Sequence, residues 1–297
     1  MMKTDMDFGQ LVTAMVTPFN EAGDVDYNEA VRLANYLVDH GTDCLLVAGT
    51  TGECPTLTHD EEFGLFTEIK KGVGKRAKIM AGTGSNCTRT AIESTQEAER
   101  IGVDLSLQVV PYYNKPSQEG LYHHFKKIAE NTGLPICLYN IPGRTGVNLE
   151  PDTVARLAKL DNIIAIKEAA GSEAQVEAIR KLTDPSFLIY SGDDALTLSF
   201  MQRGAVGAIS VASHCAGIKI KEMMNACVNG DLAKARTIHD FLMPLFDVLF
   251  ITSNPTPVKA ALKMMGFNVG DPRLPLVGAE SGQREKIKSV LSDLHLL

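Results

Sequence analysis

Several common sequence patterns are absent from this chain. The six cysteines are scattered and form no C-x-x-C pair, and no histidine stands beside them at zinc-ligand spacing. No run reaches the roughly 20 apolar residues that span a membrane, and the first seven residues contain two acids and no apolar core segment. We therefore expect reduced cysteines, no signal peptide and a cytoplasmic protein with no membrane partner.

An excess of positive charge is also missing. The 29 Lys and Arg residues against 36 Asp and Glu residues give a formal net charge of −7 and a calculated pI near 5.5, which argues against nucleic acid as a partner. Residues 82–87 begin like a dinucleotide-binding motif but have Cys87 in place of the third glycine, and no G-x-x-x-x-G-K-[ST] motif occurs. His123 and His124 lie on a predicted helix without carboxylates at ligand spacing. NAD, ATP and a bound metal are therefore not expected.

What the sequence does contain is a regular alternation of two kinds of segment. Short β-branched and apolar runs alternate with longer segments whose apolar residues recur three and four positions apart. Eight runs are candidate strands, at residues 11–19, 44–49, 77–82, 104–110, 135–140, 163–169, 187–192 and 205–211. Most lack polar alternation, as expected of parallel strands buried on both faces. This pattern predicts an α/β fold of the (β/α)₈ TIM-barrel class, with an open doubly wound sheet as the alternative.

The pattern changes after the eighth run. Only helical segments follow, at residues 218–228, 232–250, 257–265 and 282–294. No linker rich in Pro, Gly or Ser separates them from the barrel. We therefore predict a catalytic barrel over residues 1–230 and a C-terminal helical extension over residues 231–297 that packs on it.

Lys167 is the residue that most strongly indicates a catalytic role. It interrupts an apolar strand, where burial would favour the neutral amine, and a neutral amine can attack a ketone to form a Schiff base. The alternative is an ion pair with a nearby carboxylate such as Glu168 or Glu53. Strand alternation puts Glu168 on the opposite face, which weakens it as a partner.

Other polar residues follow the predicted strands at the end of the barrel where the active sites of this fold lie. Residues 49–52 combine glycines, hydroxyls and backbone N–H groups that suit a carboxylate, although simple turns use the same residues. Tyr139 and Tyr113 bring phenols that either relay protons through Thr50 or only pack. Arg144 either holds an anion by a bidentate contact or is a solvated surface residue. Their convergence on one barrel face favours a catalytic site.

Four motifs together carry a family resemblance. They are Gly49–Glu53, Pro111–Pro116, Tyr139–Gly146 and Ile166–Glu168. In their order and spacing the sequence resembles the dihydrodipicolinate synthase family of pyruvate-dependent Schiff-base aldolases, over nearly the whole chain. The resemblance implies a (β/α)₈ lyase that condenses pyruvate with L-aspartate 4-semialdehyde, the first committed step toward diaminopimelate and lysine. It implies no external cofactor.

The resemblance also assigns roles around pyruvate. It implies that Lys167 forms the imine with pyruvate and that Thr51, with neighbouring backbone N–H groups, holds the pyruvate carboxylate. Gly192 and Ile209 would contribute backbone carbonyls near the site. These four residues would therefore form the binding place of the first substrate.

A second set of roles concerns protons and the second substrate. The resemblance implies that Tyr139 is a proton shuttle, linked to Thr50 and to Tyr113 from the neighbouring subunit. Arg144 would recognise the carboxylate of the semialdehyde and steady Tyr139. A site completed by another chain requires an oligomer, and the resemblance implies a homotetramer built as two tight dimers.

Members of the family that lysine inhibits bind it at the tight-dimer interface. The corresponding positions here include His59, Asn86 and Tyr112, which match. Glu62 stands where inhibited members commonly have a histidine, and Thr90 where they have a glutamate that pairs with the amine of lysine. Because that charge-assisted contact is lost, we expect weak or absent inhibition by lysine.

Two other functions compete with the synthase interpretation. One is another pyruvate-lysine aldolase, such as N-acetylneuraminate lyase or a 2-keto-3-deoxy sugar acid aldolase, since small loop changes move specificity within a fold. Arg144, in its Arg-Thr-Gly context, favours the synthase. The other is a catalytically silent relative that serves as a binding protein, which the complete set of five catalytic candidates argues against.

Overall fold

The eight apolar runs of the sequence form eight parallel strands of a closed barrel. The computed structural model describes residues 8–297, so the N-terminal segment in which no signal peptide is expected lies outside the described residues. The strands follow one another around the barrel in chain order, and β1 pairs with both β2 and β8. This closure confirms the predicted (β/α)₈ barrel and excludes the open sheet. The strands are β1 (Leu11–Ala14), β2 (Cys44–Val47), β3 (Lys78–Gly82), β4 (Leu105–Val109), β5 (Ile136–Asn140), β6 (Ile163–Glu168), β7 (Leu188–Ser191) and β8 (Gly207–Ser210).

Helices connect the strands and follow the last one. Up to β8 they are α1 (Tyr27–Asp39), α2 (His59–Val73), α3 (Thr88–Ile101), α4 (Gln118–Ala129), α5 (Pro142–Thr145), α6 (Pro151–Leu157), α7 (Glu173–Leu182) and α8 (Thr197–Met201). After β8 they are α9 (Ser213–Val228), α10 (Leu232–Val248), α11 (Thr256–Met264) and α12 (Ser281–Asp293). Helix α9 begins five residues before the segment predicted at 218–228, because its start is irregular at Ala216 and contains Gly217, which together hide the helical period.

The first strand is shorter than its apolar run predicts. The run reaches Phe19, but β1 ends at Ala14. The N–H of Met15 still donates to the carbonyl of Leu46 in β2 at 3.0 Å, and the amides of Val16 and Phe19 then turn away from the neighbouring strands. The N–H of Val16 donates to Nε2 of His214 at 3.2 Å, and the N–H of Phe19 donates to the carbonyl of Val269 at 3.1 Å. Burial lowers the pKa of His214 to about 4, so its neutral ring can accept that bond.

The local sequence determines where α2, the helix that borders the candidate site, begins. Helix α2 begins after a capping box, in which the Thr58 hydroxyl accepts from the N–H of Glu61 and the Glu61 carboxylate accepts from the N–H of Thr58. This start places His59 and Glu62 in the first turn of α2, where they face the end of the barrel at which β2 finishes.

The cysteines and the two adjacent histidines take ordinary structural positions. All six cysteines are free thiols. His123 is exposed beside Glu119, and the ring of buried His124 contacts the hydroxyl of Thr88. His123 is therefore a surface residue and His124 a packing residue. Within residues 8–297, no group of three metal-binding side chains comes together, and no helix has the length and apolar content that crossing a membrane requires.

Candidate active site

Lys167 points into the barrel from β6. It pairs in register with Tyr139 of β5 and with Tyr190 of β7, so the three side chains lie at one level of the barrel interior. The side chain is 5 % exposed, and its Nζ lies 4.3 Å from the centroid of the Tyr139 ring. No carboxylate of residues 8–297 lies within ion-pair distance of this amine.

Both carboxylates that competed for Lys167 are engaged elsewhere. Glu168 lies on the other face of β6, as alternation predicts, and accepts hydrogen bonds from Nε2 of Gln175 at 2.9 Å and from the N–H of Ala170 at 2.7 Å. Burial raises the pKa of this carboxyl. Glu53 instead forms an ion pair with Lys259 at 2.7 Å. The amine of Lys167 is therefore available for chemistry.

The loop after β2 contains the residues that the sequence predicts to bind a carboxylate. It is bounded by left-handed backbone at Ala48 (φ 52°) and Glu53 (φ 60°). The hydroxyl of Thr17 donates to the carbonyl of Gly52 at 2.6 Å. In the described part of the chain, no hydrogen bond uses the backbone N–H groups of Thr50 and Thr51, which leaves both free for an anionic ligand.

Gly192 has a steric reason to be glycine. A Cβ built at this position would lie 3.1 Å from Cε and Cγ of Lys167 and 2.7 Å from Cβ of Ala169. Its N–H donates to the carbonyl of Glu168 at 2.8 Å. Ile209 lies on β8 with its side chain buried in the barrel interior. The structure therefore places Gly192 directly against Lys167 and Ile209 within the same barrel interior.

A cleft of about 440 Å³ opens beside this loop. Arg144 reaches it from the short helix α5, which follows β5 and starts with Pro142. Side chains from five segments of the chain line the cleft, including Thr50, His59, Glu62, Thr90, Tyr112, Ile141 and Arg144. The structure thus brings the candidate catalytic residues Thr50 and Arg144 into one cavity with members of the candidate lysine site.

Tyr113 stands apart from the other candidates. It has left-handed backbone (φ 75°) and its side chain is 89 % exposed. Among residues 8–297, no hydrogen bond connects the hydroxyls of Tyr113, Thr50 and Tyr139. A single chain therefore does not assemble the three-residue proton relay.

The candidate lysine site is partly preassembled. Nδ1 of His59 lies 3.2 Å from the Glu62 carboxylate, and burial raises the pKa of Glu62 to about 7, although His59 opposes the shift. The side-chain amide of Asn86 donates to the carbonyl of Tyr112 at 3.2 Å. Thr90 lines the same cleft and supplies only a hydroxyl where a carboxylate would be needed for a strong ammonium contact.

Comparison with known proteins agrees with this geometry. The model of the dihydrodipicolinate synthetase family matches residues 7–294. The chain belongs to that family. A curated member, the 4-hydroxy-tetrahydrodipicolinate synthase of Acaryochloris marina, is 57 % identical over 291 residues, which cover 98 % of this chain and 99 % of the relative. The synthase of Moorella thermoacetica is 56 % identical over 292 residues and is covered completely.

A solved structure of the family superposes on nearly the whole chain. The crystal structure of DHDPS from Cyanidioschyzon merolae with lysine bound has a TM-score of 0.96 at 46 % identity, covering 98 % of this chain and 99 % of that one. These comparisons confirm the predicted enzyme, a lyase with the function of a 4-hydroxy-tetrahydrodipicolinate synthase. They support it over the sugar-acid aldolase and over a silent relative. The roles of the individual site residues stay predictions.

Three residues near the family's site were not singled out from the sequence. Asn254, Lys259 and Arg273 follow the barrel by tens of residues, yet all three contact the loop after β2. One signal was present, because Lys259 interrupts the apolar stretch Pro257–Leu262 of α11 much as Lys167 interrupts β6. The other two have no local pattern that marks them.

Proposed function

We propose that this synthase condenses pyruvate with L-aspartate 4-semialdehyde through a Schiff base on Lys167. One observation carries the proposal: Lys167 is buried in the barrel interior against Tyr139, without a carboxylate partner among residues 8–297. The chemistry requires no external cofactor, because the lysine amine and the two substrates supply every reacting atom. We further propose a cytoplasmic enzyme whose barrel covers residues 1–230 and whose helical extension covers residues 231–297.

The first half of the reaction activates pyruvate. The Lys167 amine attacks the ketone carbon of pyruvate, and loss of water gives an iminium that draws electrons from the neighbouring methyl group. Removal of a methyl proton then gives an enamine. During these steps Thr51 and the free N–H groups of the same loop hold the carboxylate, while Gly192 and Ile209 offer backbone carbonyls.

The second half forms the carbon–carbon bond. The enamine carbon attacks the aldehyde carbon of the semialdehyde, whose oxygen takes up a proton and becomes the 4-hydroxyl group. The amine of the semialdehyde then attacks the iminium carbon, closes the ring and releases Lys167. Arg144 borders the cleft and is placed to hold the carboxylate of this substrate by a bidentate contact.

Tyr139 is the proposed proton shuttle, with Thr50 and the Tyr113 of a neighbouring subunit as its relay. Tyr139 packs beside the reacting amine, which suits it to exchange protons with the bound intermediate. Tyr113 is exposed in the single chain, which supports a neighbouring subunit as the place where its hydroxyl acts. We therefore propose a homotetramer made of two tight dimers.

Lysine is proposed to inhibit this enzyme weakly or not at all. His59, Asn86 and Tyr112 supply part of a lysine-binding site, but Thr90 brings no carboxylate to it. Glu62 is a weak substitute, because burial raises its pKa to about 7 and it already contacts His59. Its carboxylate is therefore already engaged by an imidazole, and a lysine ammonium has to share or displace that contact.

A coupled assay tests the proposed function. Purified enzyme receives pyruvate and L-aspartate 4-semialdehyde, and an NADPH-dependent reductase that consumes the product reports the rate, with and without lysine. Borohydride with pyruvate traps the imine separately. We expect Lys167→Ala to lose both signals and the exposed-lysine control Lys159→Ala to keep both.

Each alternative outcome of this assay has a distinct meaning. Activity that persists in Lys167→Ala would overturn the Schiff-base assignment. Enzyme that traps pyruvate on Lys167 but gives no condensation would mean that the second substrate is wrong. Strong inhibition at low lysine concentration would refute the proposed insensitivity.

A further inference from the structure

One side chain from the segment between the C-terminal helices α10 and α11 contacts the threonine of the substrate loop. Asn254 lies between α10 and α11, is 6 % exposed, and its Nδ2 lies 2.9 Å from Oγ1 of Thr51. Thr51 is itself 3 % exposed. The contact joins residues that are 203 positions apart in sequence, so the folded barrel and its following helices meet at the residue assigned to the pyruvate carboxylate.

The orientation of the Asn254 amide sets the direction of this hydrogen bond, since Nδ2 faces Thr51 while Oδ1 has no hydrogen-bond partner among residues 8–297. An amide NH₂ group only donates, so the Thr51 oxygen is the acceptor. A hydroxyl that accepts one bond keeps its own hydrogen for another partner. Among residues 8–297, the Thr51 hydroxyl donates to no other group, and therefore its hydrogen is available to a ligand.

Two further contacts hold the same loop from the same side. The Glu53 carboxylate pairs with Nζ of Lys259 at 2.7 Å, and its second oxygen accepts from the N–H of Arg273 at 2.9 Å. Both Glu53 and Lys259 are buried. The end of the loop is thereby fixed to the C-terminal segment, and Asn254 acts on a backbone that has little freedom to move away.

We propose that Asn254 is a positioning residue that orients the Thr51 hydroxyl to donate to the carboxylate of pyruvate. The inference rests on the proposed function, since it deepens the role assigned to Thr51. It makes the segment after the barrel a determinant of affinity for the first substrate. Asn254 touches no reacting atom and acts only through Thr51.

The decisive variant is Asn254→Asp. It keeps the size of the side chain but replaces the NH₂ donor by a carboxylate acceptor, so Thr51 donates to residue 254 and no longer to the substrate. Loss of one hydrogen bond to a charged ligand corresponds to a weakening of roughly 10- to 100-fold. We expect the KM for pyruvate, and the pyruvate concentration that half-saturates borohydride trapping, to rise by that factor. The KM for the semialdehyde should stay within about two-fold, because that substrate does not meet Thr51.

A double-mutant cycle separates positioning from a general structural effect. In Thr51→Val the hydroxyl is already gone, so adding Asn254→Leu, which removes the NH₂ donor without adding a charge, should raise the pyruvate KM no further. Thr256→Val is the matched control, because the buried Thr256 hydroxyl donates to the carbonyl of Val277 in the same segment without touching the loop. It should lower the melting temperature and leave the pyruvate KM unchanged.

The results distinguish this inference from the proposed function. Independent, multiplicative effects of Thr51→Val and Asn254→Leu would overturn the positioning role, as would an Asn254→Asp enzyme with the wild-type pyruvate KM. Either result leaves the proposed function standing if wild-type enzyme still traps pyruvate and condenses it. Wild-type enzyme that does neither would instead remove the proposed function.

Discussion

Replacing Lys259 by methionine measures how strongly a buried ion pair supports the loop that contains Thr50 and Thr51. The Lys259 ammonium lies 2.7 Å from the Glu53 carboxylate, and the two side chains are 1 % and 2 % exposed. Nζ also lies 4.1 Å from the centroid of the Phe19 ring. Burial lowers the pKa of Lys259 to about 8, and the attraction of Glu53 opposes that shift. The lysine therefore depends on its partner to carry a charge in this environment.

The expected cost follows from the charge that the substitution strands. Lys259→Met leaves the Glu53 carboxylate buried without its cation, which typically destabilises a protein by roughly 3–5 kcal/mol. An unfolding entropy of about 2.1 cal/mol/K per residue gives about 0.6 kcal/mol/K for a chain of this length, so the melting temperature should fall by roughly 5–8 °C. The double variant Lys259→Met with Glu53→Gln removes the stranded charge and should recover more than half of the loss.

Calorimetry or thermal melting followed by circular dichroism measures both variants. Lys263→Met is the matched control, since Lys263 lies one turn further along α11 and pairs with Asp271 at the surface, where an ion pair contributes at most about 1 kcal/mol. A Lys259→Met protein that melts within 2 °C of wild type, by the roughly 1.6 °C per kcal/mol of this chain, would refute the reasoning. A double variant no more stable than the single one would refute it too.

Two further predictions concern the cleft. Burial raises the pKa of Glu62 to about 7, so between pH 4.5 and 7 the folded state keeps a proton that the unfolded state has lost. The free energy of unfolding should therefore fall by up to roughly 3 kcal/mol as pH rises through this window. Urea unfolding at the two ends of the window should show this fall in wild type and not in Glu62→Gln, and an equal fall in the variant contradicts the assignment. Tyr113→Phe should lower kcat about ten-fold or more through loss of the relay. The melting temperature should stay unchanged, because the substitution keeps the ring and removes only a hydroxyl. Tyr122→Phe is the control, and full activity of Tyr113→Phe would end the relay role.

The barrel could be predicted because each of its strands is recognisable from the local sequence. Each strand is a short apolar run, and all eight observed strands fall inside the runs found in the sequence. The ends are less predictable, as β1 shows: residues 15–19 are still mostly apolar, but Val16 donates its N–H to His214 and leaves the sheet. A hydrogen bond between residues 198 positions apart has no counterpart in local periodicity.

The candidate site also contains residues that the local sequence reveals and residues that only distant contacts reveal. Lys167 stood out because an ammonium group contradicts an apolar strand, and Gly192 has a steric cause once the strands are in register. Asn254 could not be found, because an asparagine between two helices is an ordinary loop residue until the fold brings it to Thr51. Tyr113 could not be placed for a different reason. Its expected partners lie on another subunit, so no property of a single chain determines the position of its hydroxyl.

The two buried lysines differ in the groups that surround their amines. Each has an aromatic face near its amine, Phe19 at 4.1 Å from Lys259 and Tyr139 at 4.3 Å from Lys167. Among residues 8–297, only Lys259 of the two pairs with a carboxylate, and a paired ammonium has no free electron pair with which to attack a carbonyl. The reactive role proposed for Lys167 therefore requires that no carboxylate pairs with it, and a carboxylate introduced beside Lys167 should suppress imine formation without requiring any change in the lysine itself.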